Sequence, residues 1–354
     1  MGKVNITAKI AGITYTPFLC SKLKTFEFKE FKNAFQIGSF ILRYNANNFA
    51  ISWWVSPKRT RSYPYARIYD TLNFSGKRVT IIPIVKDEGF DGDRDYLQWD
   101  TISLMSLLGI YVIISYYKIA RKNENYDNKI TNQEFDISYV KSEIRKLSSY
   151  QSDALHWNLK QIDNIKKLAK KALDNYNRIS KILDVRMHSE NYFLRRIDEI
   201  AKGREKFMEF SRELSHQAQE RERMTVQPKE KISGIKATIT IKNYLGGLYQ
   251  LTCDEIYTVK NDIFLVEAKH TKRNSLPSIG DIKDGLLKML LFTNLENVSI
   301  DRKQYNSHPV LKLTSNSDKI EFSKRQRHLL SLLLKEADEN NFLIEYNGKI
   351  IEDI

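Results

Sequence analysis

Residues 253–270 read CDEIYTVKNDIFLVEAKH, and the reading of the fold starts there. Two runs rich in β-branched and aromatic residues flank Asn261 and Asp262, a short turn signal, so the stretch predicts a β-hairpin. If those two residues make the turn, Lys260 pairs with Ile263, Asp254 lies opposite Lys269, and Ile256 lies opposite Glu267. Side chains alternate along a strand, so Asp254, Glu267 and Lys269 emerge on one face and Glu255 with Ala268 on the other. A loop of odd length would exchange Asp254 for Glu255. Two carboxylates on adjacent strands, about 4.8 Å apart, offer hard oxygen ligands to Mg2+. A lysine beside them can orient a water and offset phosphate charge. The plain alternative is a surface hairpin with an exposed ion pair.

Working outward, the period of two extends upstream through IKATITIK at 235–242. Downstream, the pattern predicts a helix over 279–292, strands near 297–301 and 309–314, a helix from Ser323 to about Asn340, and a last strand at 342–346. Strands followed by intervening helices place this region in the α/β (α+β) class, a mixed sheet flanked by helices. In helix 279–292, Ile282, Leu286 and Met289 form an apolar face, while Asp281, Asp284 and Lys288 share another. Asp284 and Lys288 are spaced as a surface pair, or Lys288 turns toward the hairpin.

Residues 1–100 alternate aromatics, β-branched residues and turns, with a hairpin turn at 45–48. Within 56–67, Lys58, Arg59, Arg61 and Arg67 interleave with Tyr63 and Tyr65, which suits a DNA contact as well as a solvated loop. Asp91, Asp93 and Asp95 have the spacing of a calcium loop, but Tyr96 stands where a glycine must turn the chain, so 87–95 reads as a solvated turn. The apolar stretch 101–117 is too short to span a bilayer and is split by Gly109. It predicts a buried helix capped by Asp100 and then a strand over 111–117. Residues 122–137 are polar and Asn-rich, the composition of a linker or exposed loop. From 139 to 223 the pattern is helical, with Ile162, Ile165, Leu168, Ala172, Tyr176, Ile179 and Leu183 at steps of three and four. That stripe is either a short coiled-coil seam or a face packed on the chain's own core. Gly203 reads as a helix stop, with a charged helix following over 204–223.

The 354 residues carry 57 Lys+Arg against 43 Asp+Glu, a net charge of +14. Residues 1–117 hold +6, 118–230 hold +6, and 231–354 only +2. So basic a chain usually meets a polyanion. Two cysteines, Cys20 and Cys253, supply neither a disulfide framework nor a cysteine-based zinc site, which suits a reducing cytoplasm. No nucleotide-binding glycine loop, HExxH or G-x-S-x-G motif occurs.

Asp254, twelve residues, then Glu267-Ala268-Lys269 resembles the PD-(D/E)XK nuclease superfamily, the fold of most restriction endonucleases. The likeness covers about 250–295, and Cys253 stands where the family usually has proline. It implies a site in which Asp254 and Glu267 bind Mg2+ and Lys269 positions the attacking water. Lys272, Arg273 and Lys288 join Lys58, Arg59, Arg61 and Arg67 as candidate DNA contacts. The expected activity is that of a type II site-specific deoxyribonuclease acting on double-stranded DNA as a homodimer. A partner DNA methyltransferase is implied by the resemblance alone. Other readings are a non-catalytic nucleic-acid-binding protein and a repair or junction nuclease.

The expected domains are a strand-rich basic recognition domain over 1–137, a helical bridge or dimerisation segment over 138–228, and a nuclease core over 229–354. Alternatively the helices belong to the core, with Glu213 or Glu220 as a further metal ligand.

Overall fold

The hairpin forms, and it lies within a sheet much wider than itself. The structure, a computed structural model, describes residues 4–58, 64–201, 235–243, 248–316 and 322–352. Its chain divides into a C-terminal unit, Met1–Lys22 with Ser215–Ile354, and an N-terminal unit, Leu23–Leu214. The division differs from the one read in the sequence at both ends of the chain's first 228 residues.

In the C-terminal unit the strands are β1 (Val4–Ile10), β2 (Ile235–Asn243), β3 (Leu248–Val259), β4 (Asp262–Thr271), β5 (Glu296–Ile300), β6 (Lys303–Gln304), β7 (Asn306–Ser315), β8 (Leu343–Tyr346) and β9 (Lys349–Ile350). Helices α1 (Ile279–Phe292) and α2 (Lys324–Asn340) connect them. The sheet order is β6-β5-β1-β2-β3-β4-β7-β8-β9. Pairing is antiparallel from β2 through β4, then parallel from β4 to β7 and β8. This is the mixed α/β architecture expected. Both helix starts are chemically marked: Ser278 caps α1 through the Asp281 amide, and Ser323 forms a capping box with Gln326 at α2.

Strand β1 lies outside the unit to which the sequence assigned it. Ile6, Ala8 and Ile10 alternate and are all buried. Pairing parallel to β2 sets Ile6 beside Ile239 and Ala8 beside Ile241, so this buried face continues that of β2. The following segment is tied to α2. Tyr15 donates its hydroxyl hydrogen to Glu336 Oε1 at 2.6 Å, and the Phe18 amide donates to Oε2 at 2.9 Å.

The N-terminal unit holds a five-stranded sheet, ordered Thr25–Glu27, Ser39–Tyr44, Asn47–Trp53, Lys77–Pro83, Ile110–Ser115. The expected turn at 45–48 is a two-residue hairpin with Asn45 at φ +52°. The apolar run at 101–117 resolves into the buried helix Trp99–Leu107 and the strand Ile110–Ser115, separated by Gly109 at φ +67°. Its N-cap is Gln98, not Asp100, which is the second residue of the helix's first turn. Among the described residues no helix is long and apolar enough to cross a membrane.

Three expectations change here. The polar stretch 122–137 is not a linker, because Ile130–Phe135 returns to pair with Tyr117–Lys122, burying Ile130 and Phe135. Residues 87–95 are not a merely solvated turn. Asp87 is buried, accepts from the Gly89 amide at 2.9 Å, and lies 2.8 Å from His188 Nδ1 and 3.5 Å from Arg94 Nη1. The helices Ile137–Ser148, Ala154–Asp163 and Ile165–Leu183 are not a separate bridge. Trp157 and Asn158 bond the backbone of Ile110–Ser115, and Tyr176 bonds Asp87 and Val85. The stripe Ile165, Leu168, Ala172, Tyr176 and Ile179 is buried in the unit's own core, so it leaves no seam for a coiled coil. The predicted helix 204–223, with Glu213 and Glu220, lies outside the described residues.

Candidate active site

Strand β4 alternates into two faces, Ile263, Leu265, Glu267 and Lys269 on one and Phe264, Val266, Ala268 and His270 on the other. The β3–β4 turn consists of Lys260, at φ +56°, and Asn261, with Val259 paired to Asp262. The expected register is therefore wrong by two residues: Ile256 faces Leu265, not Glu267. A shift of two preserves side-chain parity, so the choice of Asp254 over Glu255 survives the error. Carried past the last regular pair, Glu255 with Val266, the register sets Asp254 opposite Glu267.

A β-bulge adjusts the position of Asp254. On its other side, β3 spends two residues, Asp254 and Glu255, against one of β2, since Ile235 pairs with Ile256 and Ala237 with Cys253. Asp254 Oδ2 then accepts a hydrogen bond from the Ala268 amide at 2.9 Å, where a ladder carbonyl would ordinarily serve. Cys253 is buried, its thiol bonded to the Glu255 and Val266 carbonyls, and burial raises its pKa well above the ordinary value.

Helix α1 completes the cluster. Gly285 lets it approach closely: a Cβ there would lie 2.8 Å from Leu311 Cδ1 and 3.2 Å from Lys269 Cε. The Lys269 ammonium lies 2.9 Å from Glu267 Oε1 and 2.9 Å from Asp284 Oδ2. Lys288 Nζ lies 2.6 Å from Glu267 Oε2 and 3.4 Å from the Thr252 carbonyl oxygen. Asp284 and Lys288 are thus drawn inward to different partners. Glu267 is 1% exposed, with a cation on each oxygen.

These contacts set opposite titration behaviour for the two carboxyls. Burial and then the Glu267 charge push Asp254 up to about 7. Burial acts the same way on Glu267, but Lys269 and Lys288 outweigh it and bring it down to about 2. Burial opposes the charge on Lys269, yet Glu267 and Asp284 raise its pKa well above the ordinary lysine value. Lys288 is likewise raised against burial, by Glu267 and Asp254. Asp254 has no ion-pair partner among the described residues.

Mg2+ usually takes one or two protein carboxylates and completes its shell with waters and substrate oxygens. Asp254 and Glu267, opposed on neighbouring strands, match that donor set. Among the described residues no group of three or more His, Cys, Asp or Glu side chains is placed to hold a metal ion.

Other candidates fall elsewhere. Lys272 and Arg273 are exposed in the turn after β4. Lys288, expected at DNA, has its ammonium on Glu267 instead. Arg67 is not a surface cation: it lies in the helix Pro64–Tyr69, donates to the Trp53 carbonyl at 2.6 Å and stacks 4.2 Å from the Trp53 ring. Tyr65 is buried and cannot stack on a base. Lys58 is half-buried beside Ser56, whose hydroxyl donates to Asp95. Arg59, Arg61 and Tyr63 lie outside the described residues. Asp284 could be found from its spacing to Lys288, but its partner could not, because the contact joins helix to strand. Comparison with family models, curated proteins and solved structures returns no match for this chain.

Proposed function

We propose that this protein is a Mg2+-dependent endonuclease that hydrolyses phosphodiester bonds at specific sites in double-stranded DNA, in the manner of type II restriction enzymes. The supporting observation is Asp254: a carboxyl held by a bulge and a backbone amide, opposite Glu267, with no cation of its own among the described residues. Carboxylate pairs of this kind suit a divalent ion. When bound, that ion supplies charge stabilisation at the scissile phosphate and a more acidic water.

The chain's own groups do the rest. Glu267, ionised throughout the physiological range, provides a fixed negative oxygen pair. Lys269, steadied by Asp284, directs an ammonium at the same spot, where it orients the attacking water and offsets phosphate charge. Lys272 and Arg273 follow the site on the exposed side and suit phosphate contacts. A dimer acting on a palindromic site fits such an enzyme by symmetry.

Supercoiled plasmid incubated with Mg2+, and in parallel with EDTA, tests the reading. Defined linear fragments with Mg2+ alone support it; intact plasmid in both arms overturns it. A smear rather than bands would favour a repair-type nuclease. A second reading has its own observation: both oxygens of Glu267 are taken by lysines. On that reading the cluster is an internal ion-pair network in a non-catalytic nucleic-acid-binding protein. Duplex binding without cleavage at any Mg2+ concentration would support it.

A further inference from the structure

We infer that Lys288 is a built-in counter-ion that holds Glu267 in the metal-free protein and competes with the divalent cation for it. The inference rests on the metal site proposed above and concerns how that site is loaded. The two lysines on Glu267 are not equivalent. Lys269 is shared between Glu267 and Asp284 at equal distances of 2.9 Å, so it keeps a carboxylate partner if Glu267 turns to a metal. Lys288 has the shorter contact, 2.6 Å to Oε2, and among the described residues no second carboxylate within ion-pair distance; Asp254 acts on it only from farther off, and its other acceptor is the Thr252 carbonyl at 3.4 Å.

Asp254, Glu267 and Asp284 bring three negative charges when ionised, and the two lysines bring two positive ones. Without Lys288 the cluster holds an excess of two negative charges, which like-charge repulsion penalises in a buried place. With Lys288 it holds an excess of one, and a dication must enter against a nearby ammonium. Lys288 therefore stabilises the empty fold and weakens metal binding through the same charge. At a separation of a few ångströms and partial screening, this repulsion is worth about tenfold or more in affinity.

The test uses the full chain and the metal alone, Ca2+ or Mg2+ chloride, read by titration calorimetry and by thermal melting. Lys288→Met keeps the length of the stem and removes the charge. It should melt lower than wild type without metal, bind metal about tenfold tighter or better, and gain more melting temperature on saturation. Lys288→Arg, which keeps the charge, should bind as weakly as wild type. Glu267→Gln should abolish binding in either background, which assigns the measured heat to this site. Binding by Lys288→Met alone, with none in wild type, also supports the inference. Equal affinity in wild type and Lys288→Met overturns it while leaving the metal site standing. If neither wild type nor Lys288→Met binds metal, the inference and the proposed site fail together. Should Lys288→Met not fold, Lys288→Gln carries the same comparison.

Discussion

Glu255 and Asp254 are neighbours in sequence and occupy opposite faces of one sheet, and their surroundings differ in kind. Glu255 is 2% exposed and bound through both oxygens to Lys312, at 3.0 and 3.1 Å, with Glu345 a further 3.6 Å from that ammonium. Both oxygens of Glu255 therefore have a cationic donor. On the other face, among the described residues, Asp254 has the Ala268 amide as its hydrogen-bond partner and no ion pair, while two lysines crowd Glu267. A buried carboxylate held directly by a cation reads as a packing device. A carboxyl left beside another carboxyl raises the energy of the fold, and that cost is expected where chemistry needs it. Burial of charge alone does not separate the two faces; the proposed function rests on the incomplete pairing at Asp254.

The largest effect should separate the faces by activity. Glu267→Ala or Lys269→Ala is expected to reduce plasmid cleavage by at least about three orders of magnitude, since under the proposed function either removes a group acting on the reacting phosphate or its water. Duplex affinity by anisotropy should persist. Wild-type cleavage by either variant would sink the site.

The next effect belongs to the opposite face and to stability. Lys312→Ala leaves Glu255 buried without its cation and should cost about 3–5 kcal/mol in denaturant unfolding. Any cleavage measured on the folded fraction should stay near wild type. A strong catalytic defect in well-folded Lys312→Ala would erase the distinction between the faces.

A smaller effect follows from Asp254 itself. Its folded pKa, about 7, lies above the unfolded carboxyl value, so its contribution to stability is fully present below about pH 4 and fades as pH rises through 7. In EDTA, Asp254→Asn should remove this fall and leave the melting temperature flatter between pH 5 and 8, a difference of a few kcal/mol at most. It should also abolish cleavage. If wild type and Asp254→Asn lose stability in parallel over that range, the carboxyl is not the titrating group.

The smallest effect concerns affinity. Replacing exposed Lys272 and Arg273 by alanine should lower the slope of log binding constant against log salt by roughly two phosphate contacts' worth, about 1.8. An unchanged slope removes them from the interface.

Much of the C-terminal unit is determined locally. The period of two in 235–271, the capping serines Ser278 and Ser323, and the apolar face Ile282, Leu286, Met289 are short-range signals, and the observed elements follow them within a residue or two. The face of Asp254 is also local, because parity survives a register error of two. Tertiary structure decided what joins these elements. Strand β1 pairs with a partner more than 220 residues away in sequence, and nothing within Val4–Ile10 names that partner. The bulge at Asp254 and Glu255 exists only relative to β2. Lys288 carries the same spacing whether it faces solvent or Glu267; the packing of α1, permitted by Gly285, turns it inward. Arg67 reads as a surface cation until Trp53 covers its guanidinium. Periodicity reports which side of an element is apolar, and so fixes elements and faces. Which charged groups meet depends on long-range pairing and close packing, whose energies arise only when distant segments come together.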